Sequence, residues 1–135
     1  MKNKIFGSSS LNTDLAILFL RLIFGGLFLF HGIQKIDGYD KILPMFKDYI
    51  GIGIKLSYNL VIFAEFFCGF LVLIGCFTRL AILPILITMI VVLFIAIKKE
   101  SFMLKELPLV YLLLCLPIFI LGSGKYSVDR VIFKK

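Results

Sequence analysis

Residues Leu80–Ile97 read LAILPILITMIVVLFIAI, eighteen consecutive positions without a charged side chain. At 1.5 Å per residue a helix of that length rises about 27 Å, close to the ~30 Å hydrocarbon thickness of a bilayer. A helix apolar on every face belongs in lipid rather than on the surface of a soluble domain. Three comparable runs accompany it. Leu15–Ile33 is interrupted by Arg21 and His31, and Tyr58–Phe77 by Glu65. Leu107–Leu121 is shorter, but Glu106 and Gly122 extend it to near-spanning length in a thinned bilayer or a tilted helix. A transmembrane barrel needs alternating strands, at least eight of them, and that pattern is not written here. The expectation is an all-α membrane protein, a four-transmembrane-helix bundle. Its spans fall near residues 14–34, 57–77, 79–98 and 105–122, in one domain over residues 1–135.

Composition agrees. Of 135 residues 61% are apolar, the mean hydropathy is +1.07 and only 17% are charged. Soluble domains are about half apolar and a quarter charged, so an ordinary soluble enzyme, a disordered chain and a nucleic-acid-binding domain are excluded. The net charge of +7 comes mainly from lysines in the gaps between apolar runs. Lysines so placed meet anionic lipid headgroups, which makes the bilayer the first partner and leaves nucleic acid without a role. The first run is too long for a signal peptide, carries an arginine and ends in FHGIQK without a small-residue cleavage site. Four spans then put both termini on one side.

Lys2, Lys4, Arg79, Lys125, Arg130, Lys134 and Lys135 flank that side, and Lys35, Lys41, Lys47, Lys55, Lys98, Lys99 and Lys105 flank the other. Counted by Lys and Arg, orientation is a tie. The basic tail with no translocated domain after it favours cytoplasmic termini.

Between the first two runs, Asp37–Gly53 is too polar to span. Ile42, Leu43, Phe46, Tyr49 and Ile50 fall at helical spacing, and Pro44 suits a first turn. A short interfacial helix is expected there, either a membrane-surface anchor or a cap over a buried site. Trp is absent, so Tyr58 and Tyr126 are placed to supply the interfacial belt. Pro117 removes the hydrogen bond to the Leu113 carbonyl and predicts a kink, while Pro84 and Pro108 fall in first turns.

Ionisable groups at membrane depth are costly unless paired or hydrated, which singles out Arg21, His31, Glu65 and Glu106. Measured by helical rise from the edge where the first helix enters, Arg21 lies about 9 Å deep, Glu65 about 18 Å and His31 about 24 Å. Glu65 is therefore expected between the other two, within reach of either. Gly25 and Gly69 would let the first two helices approach closely. In a structural reading, Arg21 and Glu65 form a buried pair that fixes helix register. In a functional reading, the cluster binds a polar headgroup such as a quinone carbonyl, or relays protons through a histidine.

Cys68, Cys76 and Cys115 form no CxxC motif and suit small apolar filling. With one histidine and no Cys/His cluster no metal site is expected, and bis-histidine haem is excluded within one chain. No catalytic triad, phosphate loop or HExxH motif is present, so catalytic residues are unknown.

LRLIFGGLFLFHGIQK at Leu20–Lys35, AEFFCGFLVLIGCFTRLA at Ala64–Ala81 and GSGKYSVD at Gly122–Asp129 together resemble the DoxX family of small bacterial membrane proteins. The resemblance runs from about Leu15 to Asp129. It implies a four-helix protein of the inner (cytoplasmic) membrane with both termini inside, associated with thiol and sulfur redox chemistry. One family member is a membrane subunit of a thiosulfate:quinone oxidoreductase, and another joins superoxide dismutase and a sulfurtransferase-like protein in a complex. Most members have no assigned activity. The family's characteristic positions correspond here to Arg21, Gly25, His31, Gly32, Lys35, Glu65, Gly69, Gly75, Thr78, Arg79, Gly124, Ser127 and Asp129. Ser123 stands where proline is common, which predicts a less rigid tail turn.

The leading functional expectation is a redox-associated membrane subunit with other redox or membrane proteins as partners, quinone being its one implied cofactor. The alternatives are a non-catalytic assembly or stabilising partner and a small-solute or proton transporter, the last requiring a homo-oligomer.

Overall fold

A computed structural model describes residues 6–133; Lys2, Lys4, Lys134 and Lys135 lie outside the described residues. Six helices lie wholly within the described residues, which contain no strand. They are α1 (Thr13–Asp37), the short α2 (Tyr39–Ile42, continued by a 3₁₀ turn at Leu43–Met45), α3 (Ile54–Ile74), α4 (Thr78–Ala96), α5 (Phe102–Leu121) and α6 (Val128–Phe133). Helices α1, α3, α4 and α5 are long and apolar enough to cross a membrane.

Local chemistry explains most of the helix ends. Asn12 caps α1 by accepting from the Leu15 amide at 3.0 Å, and Asp14 complements the dipole in the first turn. Helix α3 ends on Gly75 in the left-handed conformation (φ +75°). There the Gly75 amide donates to the Val72 carbonyl and the Cys76 amide to that of Leu71, the paired bonds of a Schellman cap. Pro84 and Pro108 each stand seventh in their helices, because α4 begins at Thr78 and α5 at Phe102, earlier than the apolar runs imply. The corrected position is the second turn. Helix α5 continues without interruption through Pro117.

The four spanning helices close a ring in which α1 packs most extensively on α3, α3 on α4 and α4 on α5, with a slighter contact between α5 and α1. Lipid tails are as apolar as leucine, so this association depends on close van der Waals fit. Glycines provide it. A Cβ at Gly25 would sit 2.6 Å from the Leu73 nitrogen, and one at Gly32 would sit 2.6 Å from that of Phe66. Gly69 faces Leu29 and Phe28 from the other helix. The core at the centre of the ring holds Phe24, Phe28, Cys68, Val72, Ile82, Ile85, Tyr111 and Cys115 among others, so Cys68 and Cys115 are packing residues.

The connector carries the expected short helix, at Tyr39–Met45, but that helix is shorter than the apolar spacing implies. Helical structure ends at Met45, and Phe46 is extended (ψ +138°), so Tyr49 and Ile50 lie outside the helix. The reason is Asp48, whose carboxylate draws the following loop around itself. Oδ1 accepts from the amides of Gly51 (3.0 Å) and Ile52 (3.1 Å), and Oδ2 accepts from that of Gly53 (2.7 Å). A short polar side chain that satisfies backbone amides competes with continued helix.

Candidate functional site

The four intramembrane candidates do not form one cluster. The glycine contacts set α1 against α3 so that Gly32 meets Phe66, which places Glu65 more than a helical turn further along α1 than rise alone predicts. The cause lies in the tail, which folds against the first turns of α1. The turn between α3 and α4 consequently sits level with Arg21 rather than with Leu15. Arg21 and Glu65 are therefore not partners, and the polar groups divide between two ends of the bundle.

At the end where α1 begins, Arg21 is 1% exposed and donates through Nη2 to the Tyr126 carbonyl. Its guanidinium lies against Gly75, where any side chain would collide with it and with Ser127. Asp129 accepts from the Phe77 amide at 2.9 Å and from Ser123, and its own amide donates to the Gly75 carbonyl at 3.0 Å. This holds Phe77 in the left-handed region (φ +48°), a conformation that costs a non-glycine residue about 1–3 kcal/mol unless its surroundings enforce it. Thr78 meets Ser123 at 2.9 Å, so the residue standing in place of proline adds ties that proline lacks. Arg79 donates to the carbonyls of Phe119 and Ile120 and caps the C-terminus of α5. Gly124 fits against Ile17, and the Ser127 hydroxyl donates to the Gly124 carbonyl at 2.7 Å. Arg21, Gly75, Thr78, Arg79, Gly124, Ser127 and Asp129 thus gather at one end of the bundle, where Thr78, Arg79 and Asp129 line a small cleft of about 180 Å³.

At the opposite end, Lys35 in the last turn of α1 donates to Glu65 Oε2 at 2.6 Å. Glu65 is 6% exposed and stands in a π-helical turn, Phe63–Phe67, inside α3. Such turns insert a residue into the helix and occur frequently at functional sites. Tyr58 is fully buried, a correction to its expected interfacial place. Its ring lies between Tyr39 and Phe46, each with centroid 5.2 Å away, and its hydroxyl donates to the Lys35 carbonyl at 2.8 Å. Tyr126 remains exposed. His31 is half-buried and meets the rings of Phe28, Phe30 and Tyr111 edge-on, without joining the Glu65 pair. Glu106 is exposed in the second turn of α5, toward the Lys35 end of the bundle, and joins neither set of contacts.

Lys35 and Glu65 line a groove of about 670 Å³. Helices α3 and α4 form its sides, through residues such as Leu60, Ala64, Ile87 and Val91, and the connector borders it with Met45, Phe46 and Tyr49. An ammonium donor and a carboxylate acceptor on an apolar wall can orient a long, largely apolar molecule by its polar head. The sequence already held one signal for this pairing, the presence of Lys35 three residues beyond Gly32. Depth measured from run edges hid it.

Comparison with known proteins agrees with this architecture. The DoxX family model matches residues 16–98. The chain belongs to the DoxX family. That match includes Arg21, Gly25, His31, Gly32, Lys35, Glu65, Gly69, Gly75, Thr78 and Arg79 and stops before the tail. Over 76 residues the chain is 38% identical to "Uncharacterized membrane protein Rv3486" of Mycobacterium tuberculosis (strain ATCC 25618 / H37Rv), covering 56% of this chain and 47% of that protein. The chain thus spans about half the length of the curated relative it matches. No solved structure matches.

Proposed function

We propose that this DoxX-family protein is a subunit of the bacterial cytoplasmic membrane associated with thiol, sulfur or quinone-linked redox chemistry, and that it takes a quinone headgroup in the groove beside Lys35 and Glu65. The observation that carries the reading is the 2.6 Å ion pair on the wall of an apolar groove of about 670 Å³. Intramembrane charges are by default functional, and here both partners of the pair border the same space. The residues fit the group: Lys35 Nζ can donate to a ring carbonyl, Glu65 can accept or hold a proton, and the apolar walls suit an isoprenoid tail. A bound quinone would supply two-electron, two-proton exchange. The chain's own contribution is to orient the head and exclude water from it.

Redox or membrane proteins that deliver electrons are the partners this role requires. Cytoplasmic termini accord with the basic tail, and the Lys125 amide, which donates to Asp14 at 3.3 Å, supports a tail on the same side as the start of α1.

Affinity purification from native membranes, with bound quinone extracted and partners identified, tests the reading. Quinone is expected to accompany the wild-type chain and to be lost from Glu65→Gln, with the amount of protein in the membrane unchanged. A wild-type preparation free of quinone, or loss of Glu65→Gln from the membrane, would assign Glu65 to assembly instead.

A further inference from the structure

The groove lies on the outside of the bundle. Helices α3 and α4 pack closely where Cys68–Ile74 runs beside α4, and they part toward Ile54–Ile62, so the groove is a wedge between two diverging spans. Among the described residues its lining takes only Lys35 from α1 and none from α5, so it opens away from the core at the centre of the ring. A π-helical turn in each wall borders the wedge: Phe63–Phe67 supplies Phe63, Ala64 and Glu65, and Val92–Ala96 supplies Val92 and Ala96. Such turns are rare in helices and occur frequently at functional sites.

Leu60, Phe63 and Ile87 border the groove and are exposed, although all three belong to spanning helices. In a membrane, what meets an exposed side chain on such a helix is hydrocarbon rather than water. The polar pair is better shielded: Glu65 is 6% exposed, stands near the middle of α3 and accepts from Lys35. A long-tailed amphiphile dissolved in the bilayer can bring its head to that pair by moving sideways between the two helices, without passing through water. Its tail then lies among lipid chains both before and after binding. Lipid chains are as apolar as leucine, so tail length contributes little to affinity.

We infer that the groove is a lateral cleft, open to the bilayer between α3 and α4, which admits a quinone sideways, holds its head at Lys35 and Glu65 and leaves the far end of its tail among the lipid chains. The identity of the ligand rests on the functional reading, whereas the lateral opening rests on the divergence of α3 and α4. Specificity accordingly belongs to the head.

The test uses the unaltered full chain in phosphatidylcholine nanodiscs, doped with a phosphatidylcholine that carries a photoactivatable diazirine midway along one acyl chain. After irradiation, lipid adducts are located residue by residue by mass spectrometry. Phe94, exposed on α4 outside the groove, gives the level for full lipid contact, and Ile85, fully buried, gives the background. Glu65 and Thr88 both line the groove. Adducts at these two are expected at least about tenfold above the Ile85 background, the contrast between a site that lipid enters and a close-packed interior. Adducts at Phe94 with only background at Glu65 and Thr88 would overturn the lateral opening.

Displacement by quinone separates the opening from the ligand assignment. Decylubiquinone and decaprenyl ubiquinone, each added at a stated mole fraction of the lipid, are expected to abolish the adducts at Glu65 and Thr88 and to leave those at Phe94 unchanged. The two should half-displace at mole fractions within about threefold of each other, because the tail stays in hydrocarbon throughout. Displacement by decylubiquinone but not by the decaprenyl form would overturn the cleft, since a closed pocket of about 670 Å³ rejects the longer tail on volume alone. Groove adducts that neither quinone lowers would overturn quinone as the occupant, and with it the functional reading, while the lateral opening would stand.

Discussion

The two ends of the bundle use their polar residues in opposite ways. Around Arg21 most of the polar contacts turn to the backbone: Arg21 to Tyr126, Arg79 to Phe119 and Ile120, and Asp129 to Phe77, with Ser123 linking Thr78 and Asp129 between them. They fasten the tail across the α3–α4 turn and leave a cleft of about 180 Å³. Around Glu65 the main contact joins two side chains, and both border a groove of about 670 Å³. Polarity at the first end fixes chain geometry; at the second it faces a space large enough for a guest. A buried charge therefore gives little indication of function until its partner is known.

The largest expected effect lies at the fastened end. Gly75→Ala would strain a left-handed residue and push the Arg21 guanidinium and Ser127 out of place. Left-handed strain and overpacking together should cost about 4 kcal/mol, read as a lowered thermal midpoint in detergent. Gly26→Ala, with open space around it, should show no such loss.

Next comes the groove end. Lys35→Met leaves the Glu65 carboxylate unpaired and should cost about 2–3 kcal/mol, below the usual figure for a buried pair because Lys35 keeps some solvent. Glu65→Gln should cost less, since the Lys35 ammonium can still turn to water. Lys35→Met combined with Glu65→Leu should recover most of the loss, because an apolar pair replaces a buried ion pair at little cost. A double variant no more stable than Lys35→Met would show that the pair is not what the site misses.

Much of this fold was legible in the sequence because the bilayer imposes a length on each span. The charge-free Leu80–Ile97 run identifies a membrane helix by itself, and Gly25 and Gly69 marked the close approach of α1 and α3. The site was less legible. Depth by rise assumes that helices begin level, and the tail invalidates that assumption by occupying the first turns of α1. Arg21 and Glu65, both rare and opposite in charge, invited a pairing that the glycine-set register forbids, while Lys35 looked like one more headgroup lysine. Asp48 resembled an ordinary polar position on an interfacial helix. Only the positive φ of Gly51 and Gly53, absent from any apolar pattern, reveals the loop it organises.

A smaller effect follows from that loop. The Gly53 amide, with the Ser57 hydroxyl and the amides of Ile52 and Gly51, holds the Asp48 carboxyl below its ordinary value of 3.8. A depressed carboxyl contributes order that is fully present above its unfolded value and is lost as pH falls through the folded one. Amide protection at Gly51–Gly53 should therefore be flat above about pH 4 and fall away only below it. Exchange corrected for intrinsic rates checks this, and Asp48→Asn should remove the dependence. The smallest effect is expected at Glu106, which is exposed and makes no contact with either set of polar residues. Glu106→Gln should change stability by no more than about 0.5 kcal/mol and leave bound quinone unaltered.

The comparison of the two ends is tested most directly by quinone content. Lys35→Met/Glu65→Leu and Asp129→Asn are purified from native membranes beside the wild type, and quinone is extracted and counted per chain. The account predicts that quinone is lost from the Lys35/Glu65 double variant and retained in Asp129→Asn. Retention in the double variant, or loss from Asp129→Asn alone, would contradict it.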